Sequence, residues 1–398
     1  MRQARRMAVI VLVLLALAMT ATFQPVAGQA APIKVGIIIP LSGPVGVSGQ
    51  AMQKGYTLAA DEINRNPPLG RRLELIIEDD RGDPPTAAAA FLKLVNRDRI
   101  DVLAGGLASN VSIAVGAQVL QRPVFMAWTG AAFPGFEQML KDADWFFHYH
   151  PWQYNNADST WAFIQSTGAK TATLAAEDGP FGSSAVTEAG AFARAKGITI
   201  ASSETFKTGS PDLTPMLTKA KSTNADVLVF VGFDQDVVPL ATQSRQVAYA
   251  PKLILAAPPS WPVGFDKLAA GNYIAGMTLW TPENGHPASR RFVQRYRERF
   301  NEDPASYWAP LAYTNLITVA DAIRRAGKVE IAALSAAMKA TEYEGPIGIR
   351  LTFKRSIYGK NQGFTRLIAF QWQNGKQVVV WPQEVAGGKL VYPAPYGR

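Results

Sequence analysis

Small hydroxyl side chains follow two consecutive apolar runs of the sequence, and side chains of this type can bind an anion. The run 102–104 leads to Ser109 and Asn110, and the run 123–127 leads to Thr129. Ligands of open parallel sheets bind just outside the carboxyl ends of the strands. Ser109 also begins a helical pattern, where unpaired backbone N–H groups favour a carboxylate. We therefore predict that a ligand carboxylate binds here. The alternative interpretation is that Ser109 and Asn110 only cap the helix.

Other loops that follow predicted strands carry aromatic residues beside polar ones. The candidate residues in these loops are Ser42, Ala127, Trp128, Phe181, Phe233 and Asp234. A mostly apolar pocket that orients its ligand through a few hydrogen bonds has this composition. Together the loops predict a binding site for a small molecule.

Patterns typical of catalytic and metal sites are incomplete in this sequence. Met277 stands where a phosphate-binding loop requires lysine. The loop around Ser48 lacks the last glycine of a nucleophile elbow, and Ser48 suits a helix cap. His148 and His150 lie on one side of a predicted strand, but a third ligand at a metal-site spacing is missing. We expect a binding protein without a cofactor or metal, and an exported hydrolase is the alternative from another class.

The elements that carry these loops alternate between strand and helix. Apolar runs of strand length lie at 33–39, 73–77, 102–104 and 123–127, and a second set extends from 171 to 256. Helical patterns separate these runs, which predicts parallel sheets with right-handed crossovers. Residues 283–342 are predicted to be mostly helical. The chain then ends in strands with a hairpin turn at Asn374-Gly375.

The beginning of the chain has the composition of a secretory signal peptide. Arg2, Arg5 and Arg6 precede an apolar run at 7–19, and small residues follow up to residue 30. The chain has 398 residues, which favours two domains because a domain with a single hydrophobic core is usually shorter than this. It has no cysteine, which excludes disulfides, and its net charge of +9 is scattered. We predict an exported protein with no nucleic-acid partner.

Several short motifs follow one another in a characteristic order. They are 33–44, Asp61-Glu62-Ile63-Asn64, Glu78-Asp79-Asp80 with 87–94, 105–109 and Phe181-Gly182. In this order they resemble the periplasmic solute-binding proteins of branched-chain amino acid ABC transporters, over nearly the whole chain after the signal peptide. The resemblance implies a type I periplasmic binding fold. In that fold, two Rossmann-like α/β lobes with parallel central sheets are joined by three hinge crossings and close on the ligand.

The resemblance also implies how the chain is divided and what it works with. Residues 1–30 would be the signal peptide, residues 31–150 plus 283–345 the first lobe, and residues 151–282 plus 346–398 the second lobe. The mature protein would be a periplasmic monomer that delivers a small-molecule ligand to the membrane permease of an ABC transporter. A ligand-sensing module for a separate receptor is the alternative.

The resemblance assigns roles to several of the candidate residues. Ser109 and Thr129 match the hydroxyls that hold the ligand carboxylate, together with neighbouring backbone N–H groups. Ala127 would offer its backbone carbonyl to the ligand. Phe181 and Phe233 occupy places where amino-acid binders usually have tyrosine, so one would wall the pocket and one would face the ligand.

Three further positions bear on the polar end of the ligand. Ser48 falls where some members carry another tyrosine, and Pro258 stands where amino-acid binders have the glutamate that pairs with the ligand's ammonium. A buried ammonium without a partner costs several kcal/mol. Asp234 could replace that glutamate, but nothing in the sequence requires it. We therefore predict a small hydrophobic carboxylate, such as an aromatic acid, with a branched-chain or other aliphatic amino acid as the alternative.

Overall fold

The structure is a computed structural model, and it describes residues 30–257, 260–262, 264–304 and 306–396. The predicted signal peptide, apart from Ala30, and Pro258 lie outside the described residues. All the elements below belong to the unit that begins at Ile33.

Strands and helices alternate along most of the chain, as the sequence predicts. The strands are β1 (Ile33–Ile39), β2 (Leu73–Asp79), β3 (Val102–Gly105), β4 (Phe125–Trp128), β5 (Phe146–His148), β6 (Thr171–Glu177), β7 (Thr199–Phe206), β8 (Val227–Val231), β9 (Leu253–Ala256), β10 (Ala275–Thr278), β11 (Glu342–Glu344), β12 (Arg350–Thr352), β13 (Ile368–Gln373) and β14 (Lys376–Trp381). The α-helices are α1 (Gly46–Ile63), α2 (Pro84–Lys93), α3 (Ser109–Gln121), α4 (Pro134–Met139), α5 (Gln153–Ser166), α6 (Pro180–Ala195), α7 (Thr214–Ser222), α8 (Val237–Gln246), α9 (Pro287–Phe300), α10 (Trp308–Ala326) and α11 (Ile331–Lys339).

Two large sheets organise these elements, and β11 and β12 form a separate antiparallel pair. The five-stranded sheet has the order β2-β1-β3-β4-β5 with every pair parallel. The seven-stranded sheet has the order β14-β13-β10-β9-β8-β6-β7, and β13 runs opposite to the other strands, so the pairs β10–β13 and β13–β14 are antiparallel. We call the five-stranded sheet with the helices packed on it the first lobe. The seven-stranded sheet with its helices is the second lobe. The predicted α/β class with parallel central sheets is confirmed.

The strands nearest the centre of each sheet are apolar on both faces, because helices cover both sides. Every residue of β3, β4, β8 and β9 is buried. The β13–β14 hairpin turns at Asn374 and Gly375, which have φ values of 52° and 75°. Both values lie in the left-handed region that a two-residue hairpin turn of type I′ requires, which explains the choice of Asn-Gly.

The chain passes between the lobes three times. It crosses after β5, it returns after β10 when α9 and α10 pack against α1, and it crosses again before β13. Before this last crossing, the segment 361–364 runs along the edge strand β5. Gly363 N–H donates to the His148 carbonyl at 2.8 Å, and Phe364 N–H donates to the Tyr149 carbonyl at 3.0 Å. The residue numbers predicted for the lobe boundaries stay a prediction.

Helix α10 lies directly against α1, and a glycine permits the contact. A Cβ atom added to Gly55 would lie 2.1 Å from the carbonyl oxygen of Ala309, well inside van der Waals contact. Both helices contribute buried faces here, with Met52 and Tyr56 on α1 and Leu316 on α10 fully buried. In the described part of the chain, no helix combines the length and the apolar character that a membrane span requires.

We predict that Gly55→Ala destabilises the protein. The added methyl group meets backbone rather than a movable side chain, so α1 and α10 must separate to accommodate it. Overpacking of this kind costs ~1–3 kcal/mol of unfolding free energy, which urea denaturation measures. The matched control is Gly190→Ala on α6, where an added Cβ has nothing within 4 Å. It should stabilise the protein by up to ~1 kcal/mol, because alanine is the better helix former. Equal stability of Gly55→Ala and the wild type would contradict the prediction.

Candidate functional site

A cavity lies where the carboxyl ends of the strands of both sheets meet. It encloses about 930 Å³ of space free of protein atoms, including the open mouth. The first lobe contributes the loops after β3, β4 and β5 and the beginning of α10, and the second lobe contributes α5, α6 and the ends of β8, β9 and β10. The polar residues of the lining are Ser109, His150, Gln153, Asn156, Thr160, Thr278 and Tyr307. No Asp, Glu, Lys or Arg is among the described residues that line it.

Ser109 lies at the end of the cavity that belongs to the first lobe. It is the first residue of α3, and no side chain caps this helix. The Ser109 Oγ accepts a hydrogen bond from the Ala132 N–H at 3.3 Å, which leaves its own hydrogen to donate. The N–H groups of the first turn, which no side chain caps, and the positive end of the helix dipole favour a negative charge here. The cap residue is Ala108, so Ser109 and Asn110 do not act as helix caps.

The second predicted hydroxyl has a different environment. Thr129 is fully buried, and its Oγ1 lies 2.6 Å from the Tyr56 hydroxyl in the first lobe. Thr129 does not line the cavity, whereas Ala131 and Ala132, further along the same loop, do. Alanine has no polar side-chain atom, so only the backbone of Ala131 and Ala132 can hydrogen-bond to a ligand.

The neighbours of Thr129 are also engaged inside the first lobe. The carbonyl of Ala127 accepts from the Asn315 side chain at 3.1 Å, and the Trp128 indole N–H donates to the Ser112 Oγ at 2.9 Å. Ser42 lies in an exposed loop, where its hydroxyl donates to Asp79 Oδ2 at 2.7 Å. The structure therefore places Ser42, Ala127 and Trp128 outside the described lining, and Pro258 is outside the described residues.

Phe181 and Phe233 form an aromatic wall on the second-lobe side. Their ring centroids are 5.6 Å apart with an interplanar angle of 43°. Both rings line the cavity and also the cleft mouth, where Asn110 from the first lobe faces them. Phe181 is in the first turn of α6, and Phe233 precedes the short turn Asp234–Asp236. These two residues of the predicted site are thus brought together.

The sequence interpretation missed Tyr307, the residue before α10, and Trp308, its first residue, which line the cavity together with His150. The His150 ring stacks on Trp308, with centroids 5.4 Å apart and an interplanar angle of 12°. Its Nδ1 lies 2.8 Å from the Pro151 carbonyl, which can only accept, so the hydrogen is on Nδ1. The Nε2 then accepts from the Tyr307 hydroxyl at 3.0 Å. Burial lowers the pKa of His150 to about 3, so the imidazole is neutral at physiological pH.

Trp308 carries a buried hydrogen-bond donor, its indole Nε1, without a partner among the described residues. A buried N–H group without a partner costs free energy, which a ligand oxygen would recover. An aromatic pair at the start of a predicted helix was the sequence feature that could have indicated this position.

Asp234 joins the two lobes. Its Oδ2 accepts from the Ser48 hydroxyl on α1 at 2.7 Å, and its Oδ1 accepts from the Ser260 N–H at 2.7 Å. Asp234 and Ser48 are both buried, and neither lines the cavity. Burial, the largest effect, raises the pKa of Asp234 to about 6, although both hydrogen bonds favour the charged form. Ser48 and Asp234 are therefore brought together as an interlobe hydrogen bond.

His148, the other histidine weighed as a metal ligand, has an oxygen acceptor within hydrogen-bond distance of each ring nitrogen. Its Nδ1 lies 3.1 Å from Gln362 Oε1, and its Nε2 lies 2.8 Å from the Gly130 carbonyl. Over the residues that the structure describes, no group of three or more potential metal ligands exists.

Comparisons with known proteins agree on one family. The family model described as periplasmic binding protein matches residues 32–377. A Leu/Ile/Val-binding protein homologue of Brucella abortus is 22% identical over 96% of this chain and 99% of its own length. A leucine-binding protein of Thermotoga maritima superimposes with a TM-score of 0.78, at 20% identity, over 88% of this chain and 99% of that one. A solute-binding protein of Rhodopseudomonas palustris, solved with benzoate, superimposes with a TM-score of 0.76, at 18% identity, over 90% of this chain and 100% of that one.

We predict that Asp234→Asn changes the pH dependence of stability. Because the folded-state pKa is raised from 3.8 to about 6, the folded protein binds this proton more tightly than the unfolded chain. The resulting stabilisation is fully present below the unfolded pKa of ~4 and is lost as the pH rises to ~6. The loss amounts to ~3 kcal/mol of unfolding free energy at ~1.4 kcal/mol per pKa unit. The asparagine variant should therefore gain stability relative to the wild type across this range in urea unfolding at several pH values.

Asp212→Asn is the control for this experiment. Asp212 is exposed, and hydrogen bonds from Thr214 lower its pKa, so its substitution should give no such gain between pH ~4 and ~6. Parallel stability curves for the wild type and Asp234→Asn would show that Asp234 does not titrate in this range.

Proposed function

The chain belongs to the periplasmic binding proteins of the branched-chain amino acid ABC transporter family, and on this premise we propose that it binds a small hydrophobic carboxylate, such as an aromatic acid. It is a substrate-binding protein of an ABC transporter and not an enzyme. Membership implies an exported, periplasmic protein that binds a small molecule and works with a membrane permease. We propose that it does so as a monomer.

The uncharged cavity lining is the observation that carries this proposal. An amino acid brings a carboxylate and an ammonium into the site, and a buried ammonium without an anionic partner costs several kcal/mol. The described lining offers no Asp or Glu. Asp234 lies outside the lining and already accepts one hydrogen bond on each oxygen. Glu177 and Asp178 line the cleft mouth but not the cavity. A ligand with one negative charge and an apolar body fits these surroundings better.

The polar groups at the first-lobe end support recognition of the carboxylate. A ligand carboxylate at the start of α3 would accept from the Ser109 hydroxyl and from backbone N–H groups of the first turn. Hydrogen bonds to a charged acceptor contribute more than those between neutral groups. The apolar body would then face the rings of Phe181, Phe233 and Trp308, all of which line the cavity. The benzoate complex of the Rhodopseudomonas palustris protein shows that a protein of this fold can hold such a ligand.

A branched-chain amino acid is the second candidate ligand, and Asp234 is the observation that favours it. This carboxylate lies next to Phe233 in the chain. Burial raises the pKa of Tyr307, which lines the cavity, and the charge of Asp234 adds to that rise. A reorientation of Asp234 toward the ligand would provide an ammonium partner. It would also break the bonds to Ser48 and Ser260, at ~1–3 kcal/mol for each group left unsatisfied.

We predict that benzoate raises the melting temperature of the purified protein and that leucine does not. A ligand at a hundred times its dissociation constant stabilises by ~2.7 kcal/mol, which a thermal-shift assay detects as a rise of a few degrees. Stabilisation by leucine without stabilisation by benzoate would contradict the proposal. In that case, Asp234→Asn would test whether this carboxylate pairs with the ammonium, because the variant should then lose leucine binding.

We predict that Ser109→Ala weakens benzoate binding by about tenfold or more in isothermal titration calorimetry. The variant removes a hydrogen bond to a charged acceptor, which is worth ~1.5–3 kcal/mol. The control is Ser183→Ala, which removes an exposed hydroxyl from the first turn of α6 that does not line the cavity. Unchanged benzoate affinity in Ser109→Ala would place the carboxylate elsewhere.

A further inference from the structure

The cavity does not stop at the aromatic wall but continues into the second lobe along one face of its sheet. Leu174, Val229 and Leu255 line this deeper part from β6, β8 and β9. They are direct neighbours across the strands, because Leu174 pairs with Val229 and Val229 pairs with Leu255. Val231, which also lines the cavity, ends β8 two residues later. At ~3.3 Å per residue, the row lies ~7 Å below the end of the strand.

Opposite this row, two helices carry alanines, whose small side chains leave the region between helices and sheet open. Ala157 on α5 and Ala185 and Ala189 on α6 all line the cavity. Ala185 and Ala189 are four residues apart, so they lie one turn apart on the same face of α6. Larger side chains at these positions would fill the space between the helices and the sheet. We call the part of the cavity lined by Leu174, Val229, Leu255, Ala157, Ala185 and Ala189 the tail channel.

We propose that the tail channel receives an extended apolar tail, so that the ligand class is a carboxylate with an arylalkyl or medium-length alkyl chain rather than a compact benzoate. This inference rests on the proposed carboxylate-binding function. All six side chains of the channel are hydrocarbon, so they stabilise a tail by burial alone and offer no partner to a polar substituent. Thr160 and Trp161, one turn after Ala157 on α5, also line the cavity and carry one polar side-chain atom each. The carboxylate at Ser109 and the tail in the second lobe would fix the orientation of the ligand across both lobes.

A series of ligands with increasing tail length tests the inference by titration calorimetry. The aryl series is benzoate, phenylacetate, hydrocinnamate and phenylbutanoate, and the alkyl series is butanoate, hexanoate and octanoate. We expect affinity to rise about fourfold for each added methylene, which corresponds to ~0.8 kcal/mol per buried CH₂. A terminal hydroxyl on octanoate should reduce affinity on the order of tenfold, because it is buried without a partner.

The outcomes separate the inference from the proposed function. Benzoate binding as tight as or tighter than every longer acid would overturn the tail channel and leave the carboxylate proposal standing. Binding of leucine with no response to any of the acids would overturn the carboxylate proposal and the inference with it. Insensitivity to the terminal hydroxyl would also count against a tail buried in the channel.

Variants of α6 connect the length dependence to the channel. Ala189→Leu should abolish the gain in affinity from phenylacetate to phenylbutanoate, because the added carbons occupy the tail's space. Ala191→Leu, at an exposed position of the same helix, should keep the gain. The milder Ala189→Val replaces Ala189→Leu if circular dichroism shows that the latter is unfolded, and it should reduce the gain. A full gain in a folded Ala189 variant would overturn the inference.

Discussion

The close packing of α1 against α10 sets the position of much of the cavity lining. Gly55 allows the two helices to approach until backbone meets backbone, and α10 begins at Trp308, whose ring lines the cavity. On α1, the Tyr56 hydroxyl is bonded to Thr129 and accepts from the N–H of Gly105 at 3.1 Å. These bonds hold the ends of β3 and β4, from which the site loops emerge. Thr129 thus helps to position the site loops without lining the cavity itself.

Burial shifts the ionisable groups around the cavity toward their neutral forms. The pKa of His150 is lowered to about 3, so above that value its imidazole is an uncharged ring that accepts from Tyr307. Burial also raises the pKa of Asp234 to about 6, which favours the neutral form below that pH and leaves the carboxylate mostly charged at neutral pH. The beginning of α3 at Ser109 is then the part of the described lining with a preference for charge, and that preference is for an anion. Such an arrangement orients a ligand through its anionic end, which binds at the start of α3.

Local sequence patterns predicted the fold better than the site. The alternation of apolar runs and helical patterns led to the parallel sheets, and Asn374-Gly375 indicated its hairpin turn, because these signals act within a few residues. Ser109 was also found from a local signal, the start of a helix. The backbone of Ala132 contributes an N–H group to Ser109, which no side-chain pattern reveals. Tyr307 lies 157 positions from its partner His150, and a contact between such distant segments follows only from the packing of the lobes.

Closure of the lobes and recognition of an ammonium compete for one carboxylate in this chain. Asp234 accepts from Ser48 of the first lobe and from Ser260 of the second, so in the structure it serves the contact between the lobes. Turning it toward a ligand would leave a buried hydroxyl and a buried N–H without an acceptor, which costs ~1–3 kcal/mol for each group. The interaction of Asp234 with an ammonium would have to exceed that cost before it contributed to affinity. A ligand that binds through an anionic end and an apolar body avoids the cost, and the interlobe bond stays intact while the ligand is held.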